Sequence, residues 1–244
     1  MRNVWLLVHK DVREAFGRRL IFVRLLIPAA LLPIFYGVII GLMIREAAHS
    51  EGAAGALASQ VPFFAAIVVL LGSLVAVMIT ADAIAGEKER RTIETLLATP
   101  VSDIEIFSGK LLAGLLPAIV IGYAGGLMFV ITACLVAGSA PLPLAPFLVT
   151  ARIILAGVPF VAAILAAAGV IISSRCGTVA TATQVSSLAS MPVFGLLIYA
   201  AFRISGWSPA QLCALALGLL AFVILLLRLG ARALGREEIV ARLD

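Results

Sequence analysis

The chain has 244 residues, of which 63% are hydrophobic and only 13% charged, and its formal net charge is +5. A soluble domain carries about 45–50% apolar and about 25% charged residues, so a water-soluble fold cannot bury this much apolar surface. The basic residues lie between long apolar runs and form no patch with interleaved aromatic residues, which argues against nucleic-acid binding. The composition therefore predicts an all-α integral membrane protein that forms a single transmembrane domain over residues 1–244.

The N-terminal segment, residues 1–20, has the pattern of an amphipathic helix. Its apolar side chains follow helical spacing at Trp5, Val8, Val12 and Phe16. Its charged side chains favour the other side, at Lys10, Arg13, Glu14 and Arg18. A basic amphipathic helix with an aromatic side chain lies at the level of the lipid headgroups, so we expect an interfacial helix. The alternative is a charged run that only sets the topology.

The apolar runs predict six membrane spans. A helix needs about 20 apolar residues to cross about 30 Å of hydrocarbon. Runs of this kind lie at 25–44, 61–81, 111–137, 147–172, 183–202 and 209–227. The third and fourth come from one long uncharged stretch, which we divide at 138–143 because its glycine and two prolines interrupt helices.

The distribution of Lys and Arg predicts the orientation. Six spans place both termini on one side, and that side would hold fifteen of the 18 Lys and Arg residues, leaving Arg45, Arg152 and Arg203 on the other. Positive charge accumulates in cytoplasmic loops. We therefore expect a multi-pass protein of a bacterial or archaeal plasma membrane, with the termini, the loop at 82–110 and the tail at 228–244 in the cytoplasm.

The loop at 82–110 begins with a cluster of five charged residues at 87–91. Ile93, Leu96 and Leu97 then follow with helical spacing, which predicts a short helix over 90–98 with one apolar edge. Pro100 ends this helix, because the residue before a proline avoids the helical region. The spacing leaves open whether the apolar edge faces the protein's own bundle or a soluble partner.

The end of the same loop carries a capping-box pattern, in which Ser102 precedes Glu105 by three residues. In such a pair each side chain bonds the backbone N–H of the other residue at a helix start. We therefore expect the helix of the third span to begin at Ser102.

The sequence offers little catalytic chemistry. His9 and His49 lie outside the predicted spans, and no HExxH, GxSxG or GxxxxGK[ST] pattern occurs. Asp82, at the end of the second span, is interpreted as an interfacial or capping carboxylate. The cysteines are scattered and are expected to pack rather than to bind metal: Cys134, Cys176 and Cys213. We expect no catalytic, cofactor or metal site, so a transporter of this kind would take its energy from another chain.

Residues 86–102 read GEKERRTIETLLATPVS, and they are followed by Glu105 with Ile106 and by Gly109 with Lys110. This stretch resembles the signature of ABC-2 type transporter permeases, which reads approximately GEKE, then GT-L-E-LL, then TP-[VL]-S, then E-I-GK. The chain differs at Arg91, where the family often has glycine, and at Ile93, where leucine is common. We expect the loss of the glycine to make the start of the short helix firmer. Weaker similarity lies at Lys10 with Asp11 and at 171–174.

The resemblance implies a permease that forms a homodimer or heterodimer with a second permease chain and binds two cytoplasmic ATP-binding cassette subunits. ATP and magnesium would bind to those subunits, this chain would hold no cofactor, and transport would usually be export. The short helix would be the coupling helix that docks on the ATPase. The resemblance leaves open which of the coupling residues face the ATPase and which face the N-terminal helix. The residues implied in coupling are Glu87, Glu89, Arg90, Arg91, Thr92, Ile93, Glu94, Leu96, Leu97 and Pro100.

Gly122 and Gly126 form a GxxxG pattern, which allows close helix packing and could serve a dimer interface. Two other classes of function stay open: a membrane scaffold or assembly component driven by a partner ATPase, and, with less support, a membrane-embedded enzyme. The low charge of the spans favours an apolar or amphipathic cargo, although lipids, drugs, polysaccharides and ions all remain possible substrates.

Overall fold

The computed structural model describes residues 2–17, 19–48, 53–93, 102–140 and 144–203, together with 217–218, 221 and 225. Over these ranges the backbone forms helices and no strand, which confirms the all-α class for the part of the chain described. The six helices are α1 (Arg2–Gly17), α2 (Arg19–Ala47), α3 (Ala53–Glu89), α4 (Asp103–Ala137), α5 (Leu144–Arg175) and α6 (Val179–Arg203).

Five of these helices contain stretches long and apolar enough to cross a membrane. The stretches are Ile27–Ala47, Gln60–Glu89, Ile104–Ala137, Leu144–Arg175 and Val179–Arg203. They correspond in order to the first five predicted spans. The predicted sixth span at 209–227 lies outside the described residues apart from four isolated positions, and the tail at 228–244 lies wholly outside them.

The helices extend beyond the predicted spans, above all at the cytoplasmic loop of the sequence prediction. Residues 82–89 continue α3, and residues 103–110 form the start of α4, so the predicted loop at 82–110 is helical at both ends. At about 1.5 Å per residue, the 37 residues of α3 extend over roughly 55 Å. A hydropathy pattern marks where hydrocarbon ends, whereas the helix continues wherever its polar side chains find partners.

Helix α3 is central to the bundle and packs most extensively against α5, with further contacts to α2, α4 and α6. Close contact depends on glycines. A β-carbon on Gly72 of α3 would overlap the backbone of Gly122 of α4. A β-carbon on Gly122 would lie 2.8 Å from Val158 of α5, and one on Gly126 would lie 2.8 Å from Ile154. Both glycines of the GxxxG pattern therefore pack within this chain.

The predicted capping box is present at the start of α4. The Ser102 hydroxyl accepts the Glu105 N–H at 3.3 Å, and the Glu105 carboxylate accepts the Ser102 N–H at 3.0 Å. This arrangement confirms the helix start that the sequence predicts and satisfies two N–H groups that have no partner inside the helix.

The end of α3 differs from the sequence prediction. Arg91 has a φ of 56°, its N–H donates to the Lys88 carbonyl, and the Thr92 N–H donates to the Glu87 carbonyl. These bonds form a Schellman motif, in which the left-handed position is usually occupied by glycine. The sequence predicts that the short helix begins at Arg90 and that the missing glycine makes its start firmer. Both expectations are wrong, because residues 90–91 end α3 and Arg91 has a left-handed backbone conformation.

Candidate functional site

Four charged side chains meet where α1, α3 and α4 come together, and we refer to Lys10, Asp11, Glu87 and Lys110 as the charge cluster. Lys110 Nζ lies 2.8 Å from Glu87 Oε1 and 3.2 Å from Asp11 Oδ2. Lys10 Nζ lies 3.3 Å from the same Glu87 oxygen. Two positive and two negative charges thus balance, and the Lys110 and Glu87 side chains are only 1% and 5% exposed.

The docking of α1 on α4 explains the local sequence. A β-carbon on Gly109 would lie 3.0 Å from the Leu7 β-carbon, so the glycine allows α1 to approach α4 closely. Val8, the next residue of α1, is buried. The next residue of α4, Lys110, then reaches both Asp11 and Glu87. Gly109 therefore allows the close packing of α1 on α4, and Lys110 forms the ion pairs.

The electrostatic environment of the cluster reflects burial and pairing. Burial alone would lower the pKa of Lys10, but the Glu87 carboxylate, together with Asp11 and Glu14, outweighs this effect and raises the pKa. Burial raises the pKa of the Asp11 carboxyl, and Lys110 offsets part of the rise. A buried charge that loses its partner is strongly destabilising. The geometry therefore favours keeping α1, α3 and α4 together.

A small pocket of about 30 Å³ lies beside the cluster, between Asp11, Glu87, Asp82 and Arg90. A volume of this size holds one or two water molecules. The Arg90 guanidinium lies 3.5 Å from an Asp82 carboxylate oxygen. A β-carbon on Gly86 would clash with the Asp82 side chain, so the glycine of the GEKE run makes room for this pair.

Two other residues of the charged run attach α3 to the turn between α5 and α6. Lys88 Nζ donates to the Ser174 carbonyl at 2.7 Å and to the Cys176 carbonyl at 3.4 Å, at the end of α5. Glu89 accepts the Val179 N–H at 2.8 Å, at the start of α6. A cation at a helix C-terminus and an anion at an N-terminus each complement the helix dipole.

The remaining residues predicted for coupling are placed as follows. Ile93 is buried in a cluster that includes Ile84 and Phe107, so this part of the apolar edge faces the protein's own bundle. The Thr92 hydroxyl contacts the Glu87 carbonyl at 3.4 Å, and Arg91 is exposed. The other four lie outside the described residues: Glu94, Leu96, Leu97 and Pro100.

Ser173 is a further contact that the site prediction did not include. Its hydroxyl donates to the Ala81 carbonyl at 2.7 Å and accepts the N–H groups of Ile84 and Ala85 at 3.1 and 2.9 Å. One side chain of α5 thus bonds three backbone groups of α3. The weak family similarity at 171–174 was the only sequence signal for Ser173, and the similarity at Lys10 and Asp11 was the signal for the charge cluster.

The fold defines a multi-pass α-helical membrane protein in which three of the described helices, α1, α3 and α4, meet at a charge cluster. The family model described as ABC-2 family transporter protein matches residues 5–207, which is most of the chain. The chain belongs to the ABC-2 transporter family, and the resemblance seen in the loop signature is confirmed. A search of curated proteins finds no match to the chain.

Proposed function

We propose that this chain is the membrane-spanning permease subunit of an ABC transporter that exports its substrate with energy from a separate cytoplasmic ATP-binding subunit. Family membership over residues 5–207 is the observation that carries the proposal. The partner subunits bind ATP and magnesium, and a second permease chain completes the membrane domain. Both termini and the 90–101 segment lie in the cytoplasm, because the positive charge of the sequence is concentrated on that side.

The charge cluster supports a mechanical role for the segment at 90–101. This segment follows the end of α3, two residues after Glu87, and leads into α4, which begins seven residues before Lys110. The Glu87 and Lys110 side chains are ion-paired at 2.8 Å. A force on the segment therefore reaches α3 and α4 together. Lys10 and Asp11 extend the same connection to α1.

The contacts of Lys88 and Glu89 carry this connection to the α5–α6 turn. Five helices are thus linked at the end of the bundle where the segment emerges. Because separating buried ionic partners is costly, the linked ends of α1, α3 and α4 move as one unit. The hydrogen bonds of Lys88 and Glu89 attach the α5–α6 turn to that unit. In this proposal, closure of the ATPase dimer moves that unit and shifts the spans attached to it.

The position of Ile93 narrows the choice of docking residues. Its side chain is 3% exposed and packs inside the bundle, so it contributes to the fold of this chain. Leu96 and Leu97 are the next apolar residues of the segment, and we assign the apolar contact with the ATPase to them. Arg91, which is exposed, and Glu94 supply polar contacts.

Co-purification from native membranes tests the proposal. The wild-type chain should retain a nucleotide-binding protein, and a Leu96→Asp/Leu97→Asp variant should lose it by about tenfold or more, as expected when anchor residues of an interface are removed. The matched control is Ala180→Asp/Thr181→Asp, which adds two carboxylates at exposed positions in the first turn of α6. The start of α6 tolerates them because a helix N-terminus favours negative charge.

The control should retain the partner, and both variants should migrate as folded protein in gel filtration. If no nucleotide-binding protein accompanies even the wild-type chain, the transporter proposal lacks its energy source. A scaffold that works without an ATPase, or a membrane-embedded enzyme, would then account better for the fold.

A further inference from the structure

A groove between α5 and α6 is separate from the charge cluster. Its volume is about 200 Å³, and its walls are almost wholly apolar, formed by residues 153–164 of α5 and 193–201 of α6. For comparison, a dry protein cavity of roughly 150 Å³ accommodates benzene. Residues 153–164 extend over about 17 Å along the helix. This length is about half of the roughly 30 Å hydrocarbon core, which is the depth that one acyl chain occupies.

Two arginines lie at one end of this groove. Arg152 lines it directly. Arg203 contacts Tyr199, which lines the groove. The Arg203 Nε donates to the phenol oxygen at 3.3 Å, and the guanidinium lies 5.8 Å from the ring centroid. Both arginines are exposed.

The two arginines lie at similar depth in the bundle. Helix α5 ends at Arg175 and α6 begins at Val179, so depth is counted from the short turn between them. Arg152 stands about 35 Å from that turn and Arg203 about 36 Å, at about 1.5 Å per residue. Both guanidinium groups are therefore placed near the far end of the hydrocarbon core, where the headgroups of one leaflet begin.

An apolar slot with two guanidinium groups at its mouth matches an anionic amphiphile. Guanidinium binds phosphate through paired charge-assisted hydrogen bonds, whereas the slot offers contact only to hydrocarbon. The stretch 204–227, which follows Arg203 in the sequence, contains no Asp or Glu. A phospholipid supplies both the apolar chain and the negative charge.

We propose that the α5–α6 groove binds one acyl chain of an anionic phospholipid, whose phosphate is held by Arg152 and Arg203. The proposal requires only that the chain resides in a bilayer, and it does not depend on the partner ATPase. Under the topology proposed above, the lipid belongs to the outer leaflet.

Native mass spectrometry of the purified full-length chain tests this site, with phosphatidylglycerol and phosphatidylcholine added in equal amounts. The wild-type chain should retain phosphatidylglycerol preferentially. Arg152→Gln should lower that retention about fivefold, since a basic residue near anionic lipid contributes about 1 kcal/mol, and Arg152→Lys should keep most of it. The matched control is Arg45→Gln, which removes an exposed arginine at the same membrane face but outside the groove.

A second variant distinguishes lipid binding in the groove from lipid attraction to surface charge alone. Ala156→Trp places a large side chain in the slot, so retention of both lipids should fall. If Ala156→Trp does not fold, the comparison of Arg152→Gln with Arg152→Lys still decides the outcome, because Arg152 is exposed.

Three results would overturn the proposal. The first is equal retention of the two lipids by the wild-type chain, and the second is retention that Arg152→Gln leaves unchanged. The third is a Leu196→Cys variant that forms a disulfide-linked dimer in bilayers and retains no lipid, because the groove would then be an interface between two copies.

Discussion

Glu87 uses a single carboxylate oxygen to pair with both Lys10 and Lys110, so replacing Glu87 would remove an ion pair from each of these lysines. Asp11 provides the second acceptor for Lys110. Asp11, Glu87 and Lys110 resemble a buried ionic triad, in which removal of the central lysine leaves two carboxylates without that partner in a medium of low dielectric constant.

Lys110→Met tests this reasoning at the level of one residue. The substitution keeps most of the side-chain volume but leaves Glu87 paired only with Lys10, so the free energy of unfolding should fall by about 3 kcal/mol. The measurement is denaturant unfolding in detergent, followed by circular dichroism.

The double variant Glu87→Gln/Lys110→Met should recover part of that loss, because it removes both buried charges. Glu14→Gln is the matched control, since Glu14 is half exposed and lies 3.9 Å from Lys10. Its effect should be small. A Lys110→Met chain as stable as wild type would show that the cluster contributes nothing to the fold.

Arg91 provides a second prediction at this scale. A non-glycine residue at a left-handed φ costs roughly 1–2 kcal/mol, so Arg91→Gly should raise the free energy of unfolding by up to about 1 kcal/mol after the entropy of glycine is included. Arg91→Ala removes the same charge but keeps the β-carbon, and it should give no such gain. If the two variants changed the free energy of unfolding equally, the cause would be the lost charge rather than the backbone conformation.

At the scale of helices, glycines determine how closely α3, α4 and α5 approach one another. Gly122→Ala should destabilise the chain by about 1–3 kcal/mol, because a β-carbon there would press on Val158 in a packed core. Gly195→Ala is the matched control within α6, where nothing lies within 4 Å of an added β-carbon. This variant should be neutral or more stable by up to about 1 kcal/mol, since alanine favours helix.

Denaturant unfolding of both variants, together with their oligomeric state in detergent, measures this difference. If Gly122→Ala folds with normal stability and only loses self-association, the GxxxG pattern serves an interface between chains instead of the packing described here.

The helices also show what the sequence could and could not reveal. Hydropathy located five spans, and the Ser102–Glu105 spacing located the start of α4, because both signals are local in the chain. The extension of α3 to Glu89 was not visible, since charged residues in a row read as loop until their partners are known. Those partners are distant in sequence: Lys10 lies 77 residues from Glu87, and Ser174 lies 86 residues from Lys88.

The family signature indicated the right family, but it did not indicate the contacts that its residues make. The resemblance implied Glu87 and Ile93 in coupling and left open whether they face the ATPase or the N-terminal helix, and the structure buries both within this chain. Exposure of a motif residue cannot be inferred from helical spacing alone when three helices converge on it. For Leu96 and Leu97, assignment to the partner remains a prediction.

For the molecule as a whole, the distribution of charge and the contacts between helices point to the same end of the bundle. The Lys and Arg residues that predict the cytoplasmic side include Lys10, Lys88 and Lys110, which are also the residues that join α1, α3, α4 and the α5–α6 turn. The 90–101 segment emerges from this joined end. A partner that docks there would therefore act on most of the described helices at once.

Site-specific photo-crosslinking in native membranes tests this account most directly, with the photoreactive residue placed at Leu97 in one variant and at Ser139 in another. Ser139 lies in the turn after α4, at the opposite end of that helix from Lys110. We expect a crosslink from position 97 to a nucleotide-binding protein and none to that protein from position 139. A nucleotide-binding protein crosslinked only from position 139, or a position 97 that crosslinks only lipid or this chain itself, would contradict the proposal that the segment couples the permease to an ATPase.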